Sequence, residues 1–177
     1  VEITRELSRR FNRLYRKVFP EPKVLVGEVP TLVGTDGQAK MSKSLDNAIY
    51  LGDTEEVVER KIKKMFTDPN RIRADVPGKV KGNPVFIYHD AFNLNTDEVL
   101  DLKSRYLKGR VGDVEVKGKL SKAINLFLEP IRNKRRELEG NKKKVEEILH
   151  AGNERMRQEA RNTMTLVHEA MGFDLYR

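Results

Sequence analysis

The sequence predicts a mostly α-helical protein. Apolar residues recur at steps of three and four over long stretches, and helix-capping residues stand directly before several of them. The β-branched runs, by contrast, are short and broken by glycine or proline. The first helix is expected over residues 2–18, with Ile3, Leu7, Phe11, Leu14, Tyr15 and Val18 on one face. Its other face is basic, with Arg5, Arg9, Arg10, Arg13, Arg16 and Lys17, and Pro20 and Pro22 stop it. Residues 23–33 carry Val24, Leu25, Val26, Val29, Leu32 and Val33, interrupted by Gly27 and Pro30, and read as strand pieces. Gly34-Thr35-Asp36-Gly37 reads as a turn, residues 38–47 as a polar loop and 48–51 as a short extended run. Asp53 with Glu56 forms a capping box, opening a helix that buries Val57, Val58, Ile62, Met65 and Phe66.

Residues 67–84 hold Pro69, Pro77, Gly78, Gly82 and Pro84 and read as a connection, with a domain boundary within or just before it. Beyond it the pattern is all helix. Asn83-Pro84 is an N-cap followed by proline at the first helical position, with Val85, Phe86, His89 and Phe92 on one face. Asn95 with Glu98 opens a second helix to about Lys108. Residues 109–118 are expected to be a loop and 120–139 a helix kinked at Pro130. Residues 141–171 form one long helix with Val145, Ile148, Leu149, Met156, Ala160, Met164 and Val167 as its apolar positions. Gly152 weakens it by about 1 kcal/mol relative to alanine unless something packs closely there.

Composition narrows the function. No cysteine is present, which removes disulfides, thiolate metal sites and cysteine nucleophiles together. The three histidines, at 89, 150 and 168, have no metal-binding spacing, and no metal site is expected. No apolar run approaches the ~18 residues of a membrane span, and no secretory leader is visible. Thirty-five Lys and Arg face 27 Asp and Glu, a net charge of +8. That excess fits a polyanionic partner, most simply nucleic acid, or a well-solvated surface. The chain opens on Val1 and already reads as helix, as a piece of a longer protein would.

Lys40-Met41-Ser42-Lys43-Ser44 carries the chemistry. Two ammonium groups three residues apart, with hydroxyls beside them, sit in a loop after an extended run and a turn. Such a loop can clamp a polyphosphate and stabilise charge developing on a departing pyrophosphate. Generic lysine–serine loops are merely solvated. At about one in twenty per position, however, a chance match to all five residues is very rare in a chain this size.

This string matches the KMSKS signature of the class I aminoacyl-tRNA synthetases. The flanking sequence resembles the tryptophanyl members: VEITRELSRRFNRLY followed by VFPEP, Thr67-Asp68-Pro69 with Arg71 and Arg73 then Pro77-Gly78, residues 83–92, and Glu169-Ala170-Met171-Gly172-Phe173. The tyrosyl enzymes, which share the fold, are the nearest alternative; a non-catalytic, RNA-binding synthetase-like module is a second.

The resemblance implies that residues 1–66 are the C-terminal part of a Rossmann-type catalytic domain. Residues 67–177 would be a helical anticodon-binding domain whose last helix packs back on the catalytic part. It implies that Lys40 and Lys43 are catalytic and contact the ATP phosphates, that Met41 lies near the adenine, and that Ser42, Ser44 and Thr31 complete the ATP site. ATP enters with magnesium that the protein itself does not ligate. Arg132, Lys134, Arg135 and Arg136 become tRNA phosphate contacts, since phosphate contacts position an RNA while unstacked bases specify it. Some relatives hold an iron–sulfur cluster through a GCVEC-like string. Here Gly112-Asp113-Val114-Glu115-Val116 puts Asp113 and Val116 where cysteines would stand, so no cluster is expected. The complete enzyme would be a cytoplasmic homodimer acting on tryptophan, ATP and tRNA(Trp). The HIGH-type motif and the tryptophan site would precede this chain, leaving it inactive alone.

Overall fold

The computed structural model describes residues 1–27, 29, 31–38, 40–71 and 73–173. Six helices run through them: α1 (Glu2–Leu14), α2 (Glu55–Lys63), α3 (Pro84–Phe92), α4 (Thr96–Leu107), α5 (Asp113–Glu139) and α6 (Lys142–Met171). The mostly helical expectation holds. The strand expectation over 23–33 and 48–51 does not: among the described residues the only pairing is a single antiparallel bridge between Val33 and Lys40. Val24, Leu25 and Val26 are exposed. A strand exists only through a hydrogen-bonded partner, and the described residues supply none. Pro30, read as a break in that run, lies outside the described residues.

The chain divides into two compact units, Val29–Glu137 and Val1–Glu28 with Leu138–Arg177. This division differs from the boundary read at 66/67, which falls inside the first of them. Bonds cross that point: the Lys117 ammonium donates to the Met65 carbonyl at 2.7 Å and to the Thr67 hydroxyl at 2.6 Å. Tyr88 donates its hydroxyl to the Val33 carbonyl at 2.7 Å.

The unit Val29–Glu137 holds the core. Val58, Ile62 and Met65 from α2 and its end meet Val85, Phe86 and Tyr88 of α3, Leu102 and Tyr106 of α4, and Val116, Leu120, Ile124 and Leu128 of α5. Each partner is placed by the three-and-four spacing that buries one stripe of a helix. Helix α3 starts as expected, its Asn83 side chain accepting from Val85 N at 3.0 Å with Pro84 next. Helix α4 also starts as expected, at an Asn95 side chain that accepts from Glu98 N at 3.1 Å.

Two starts are corrected. Helix α2 is capped by Thr54 rather than Asp53, because the Asp53 carboxylate accepts instead from Tyr50 N at 2.9 Å and from Lys61 at 2.7 Å. Helix α5 begins at Asp113, inside the expected loop, with Asp113 and Glu115 in the first turn facing the positive end of its dipole. Pro130 lies within α5, where it cannot donate to the carbonyl one turn back.

In the other unit, α1 stops at Leu14 instead of residue 18. The Asn12 side chain accepts from Val18 N and Phe19 N at 2.9 and 3.0 Å, turning the chain before Pro20. Phe11 stacks against Tyr15 and Phe19. Helix α6 is capped at both ends, by Asn141 and by Gly172 in the left-handed conformation. No residue of α6 is buried: in the apolar stripe read from its sequence Val145 and Val167 are half-buried, while Ile148, Leu149, Met156 and Met164 are exposed. Arg16 pairs with Glu169 at 2.6 Å.

Candidate functional site

The Lys40–Ser44 segment has a bonded base and a bare tip. At the base, Val33 bridges Lys40, and the 34–37 turn closes with Gly37 N on the Gly34 carbonyl at 2.9 Å. Gly37 has φ of +76°, which glycine adopts without strain. The turn is tied to the loop exit by Thr35 N on the Asn47 carbonyl at 2.8 Å, and to the end of α2 by Phe66 N on the Thr35 carbonyl at 3.0 Å. Asn47 sits between these pieces, 3% exposed. Its Oδ1 accepts from Ser42 N at 2.7 Å, and its Nδ2 donates to Asp36 Oδ2 at 2.9 Å and reaches the Lys40 carbonyl at 3.5 Å.

At the tip, the Ser42 and Ser44 hydroxyls are 2.9 Å apart. Asp46 N reaches the Lys43 carbonyl at 3.4 Å, with Asp46 itself at φ +48°. Lys40 and Lys43 are exposed. Neither ammonium has a hydrogen bond or ion pair among the described residues. Thr31, Lys40 and Met41 meet around a cavity of about 440 Å³ that Val29, Leu32 and Phe92 complete. Its walls are mostly apolar. Behind it, burial together with the charge of Asp36 pushes the Tyr88 hydroxyl up to about 12, so Tyr88 stays a neutral donor to Val33.

The structure thus gathers Thr31, Lys40 and Met41 at one cavity and sets Ser42, Lys43 and Ser44 on the adjoining tip. The four cations expected on α5 are placed differently from one another. Arg132 is mostly buried, with Nε donating to the Asp53 carbonyl at 2.8 Å and Nη2 to Asn125 at 2.8 Å. Those bonds hold α5 to the start of α2. Lys134, Arg135 and Arg136 are exposed; Lys134 pairs with Glu137 at 2.7 Å and Arg136 bonds Asn133.

His89 is a satisfied core residue, as its apolar face suggests. It is fully buried, with Nε2 3.0 Å from the Val116 carbonyl and Nδ1 3.2 Å from the Asn93 amide. The neutral tautomer protonated on Nε2 satisfies both. Burial depresses its pKa. No grouping of three or more possible metal ligands occurs among the described residues.

Sequence reasoning missed Asn47, Asp36 and Arg71 as organising residues. Asn47 stands three residues past Ser44, a position readable as loop exit. Arg71 donates to the carbonyls of Val76 and Ala74 at 2.8 and 2.9 Å, to the Val111 carbonyl, and to Asp113 at 2.7 Å. It also lies 3.9 Å over the Tyr106 ring, whose hydroxyl donates to Asp113 at 2.9 Å. Asp113, read as a replaced ligand position, is the anchor of this group, while Val116 is core.

Known proteins place the chain. The family model for class I tRNA synthetases of the W and Y type matches residues 1–129. The tryptophan–tRNA ligase of Treponema pallidum is 62% identical over 97% of the chain, which covers 51% of that protein. That of Borreliella burgdorferi is 54% identical over 97% of the chain and 50% of the protein. The crystal structure of tryptophanyl-tRNA synthetase from Campylobacter jejuni, complexed with ADP and tryptophan, superposes with a TM-score of 0.76 at 30% identity. It covers 97% of the chain and 53% of the solved one. The chain spans about half the length of the curated relatives it matches. The tyrosyl alternative is not favoured, because these high-identity relatives are tryptophan–tRNA ligases. With nearly three quarters of its residues inside the family match, the chain belongs to the class I tRNA synthetases of the tryptophan and tyrosine type.

Proposed function

We propose that this chain is the C-terminal half of a tryptophan–tRNA ligase and supplies its pyrophosphate clamp. One observation carries the reading: the complete Lys40-Met41-Ser42-Lys43-Ser44 string forms a loop whose two exposed ammonium groups have no partner among the described residues, beside a cavity lined by Thr31 and Met41. In the whole ligase the tryptophan carboxylate attacks the α-phosphorus of magnesium-bound ATP. The bond from that phosphorus to the bridging oxygen breaks, and pyrophosphate leaves with the electron pair. Lys40 and Lys43 meet the charge that gathers on the leaving group, and Ser42 and Ser44 add neutral donors. The cavity takes the adenine, with Thr31 and Met41 at its wall. The adenylate then acylates tRNA(Trp).

In the same reading, residues 1–66 are the C-terminal part of the Rossmann-type catalytic domain and residues 67–177 the helical anticodon-binding domain. Lys134, Arg135 and Arg136 meet tRNA phosphates from their exposed positions, whereas Arg132 acts mainly by holding α5 to α2. Asp113 fills the cluster-ligand position with a carboxylate committed to Arg71. The whole ligase is a cytoplasmic homodimer.

The test is tryptophan-dependent ATP–pyrophosphate exchange by the whole ligase. Lys43→Ala is expected to lower it by about 10²–10³-fold, the scale of losing one preorganised donor to developing charge. Wild-type exchange in that variant sinks the clamp reading. The chain alone is expected to show no exchange, because catalysis of this kind needs both reactants held in register.

A further inference from the structure

We propose that Asn47, paired with Asp36, is the positioning residue of the signature loop, fixing its base so that Lys40 and Lys43 move from a constant pivot. The inference rests on the clamp reading above.

Asn47 is an amide in a buried place, and a buried polar group is costly unless its atoms are bonded. Here they are. The side chain takes the Ser42 amide on one oxygen and gives its nitrogen to Asp36 and toward the Lys40 carbonyl. The backbone carbonyl of the same residue takes the Thr35 amide. One residue therefore ties the turn before the signature, its entry at Lys40, its middle at Ser42 and its exit. No apolar residue of similar size makes the side-chain bonds among them. Beyond Ser42 the ties weaken: the tip has one long backbone bond, at 3.4 Å, and an exposed hydroxyl pair. A rigid base under a loose tip suits a clamp. The donors must be prearranged for charge that appears only as pyrophosphate leaves, yet the tip has to open for nucleotide to enter.

The pair can be broken and remade. Asn47→Asp sets a carboxylate against that of Asp36 at hydrogen-bonding distance. Adding Asp36→Asn restores a donor between the two positions with its direction reversed, and the Ser42 amide keeps its acceptor. In the whole ligase, Asn47→Asp is expected to lower pyrophosphate exchange by about 10–100-fold, the cost of roughly 1 Å of misplacement. The change should fall on kcat and on the KM for ATP, with the KM for tryptophan unmoved. Hydrogen exchange of the 40–46 segment should quicken. The double variant should recover most of the loss and the slow exchange.

Wild-type activity in Asn47→Asp overturns the proposal. So does a loss that raises the tryptophan KM equally and is not recovered by the second substitution. Lys43→Ala, measured in parallel, separates the two readings. If it falls while Asn47→Asp does not, the clamp stands and the latch fails. If Lys43→Ala keeps full exchange, the clamp fails and the latch with it.

Discussion

The Arg71 side chain is 1% exposed and donates to three carbonyls and the Asp113 carboxylate, while the Lys40 and Lys43 ammoniums face solvent with no partner among the described residues. Both regions belong to the same unit and both are loops built around cations. In the first, the fork of the guanidinium is used up in joining the 68–76 connection to the 109–113 loop. In the second, the backbone is fastened and the charges are left over. A bound-up cation organises the chain. A spare one is available to a ligand, and in the loop proposed as the clamp the signature string comes together with a fastened backbone.

Four substitutions or conditions test that contrast. Arg71→Ala is expected to do the most damage to stability, about 3–5 kcal/mol, because it removes a buried cation's bonds to three carbonyls and to the half-buried Asp113, which keeps only Tyr106 as a donor. Urea unfolding measures it. If the alanine variant does not fold, Arg71→Lys keeps the charge but loses the fork and should still be clearly destabilised. A neutral result for both would mean the buried network contributes nothing.

Acid should attack the same core next. His89 is held neutral, its folded pKa below the ordinary 6.5, so between those values the unfolded chain binds more protons. Stability from this group is complete above about pH 6.5 and falls as pH drops below it toward the folded pKa. Unfolding curves at pH 7.5 and 5.5 should show the loss, and His89→Gln should flatten that part of it.

Gly152→Ala lies in the other unit. A Cβ there meets nothing within 4 Å, so the substitution should stabilise α6 by about 0.5–1 kcal/mol, read as a rise in melting temperature. The smallest effect belongs to the signature loop. Lys43→Ala should change stability by no more than about 0.5 kcal/mol even as it removes exchange activity, since the ammonium makes no bond to lose. A large loss of stability there would erase the contrast.

The sequence showed helices where capping and periodicity agreed, at Asn83-Pro84 and at Asn95 with Glu98, and where periodicity alone was long enough, over 141–171. It failed where a cap-like residue had a stronger use elsewhere. Asp53 goes to Lys61, so Thr54 begins α2; Asp113 goes to Arg71 at the opening of α5. The strand reading of Val24–Val26 rested on propensity alone, and pairing is a property of two segments. Within the site, the charged tip was legible because its chemistry is local. Its support was not, because the bonds of Asn47 join residues up to twelve positions apart, and Lys117 reaches across more than fifty. No periodicity announces a buried amide or a lysine turned inward.

Gly34 sets a rule for variation. A Cβ on it would fall on the side-chain amide of Asn47 and crowd a carboxylate oxygen of Asp36. Any larger residue at 34 must therefore evict the amide that steadies the signature loop. In a library of variants selected for growth, positions 34, 36 and 47 should behave as one inherited unit: singly intolerant, and interchangeable only when altered together. The lysines they support would be read by such a screen as the chemistry. This silent trio would be read as its grammar.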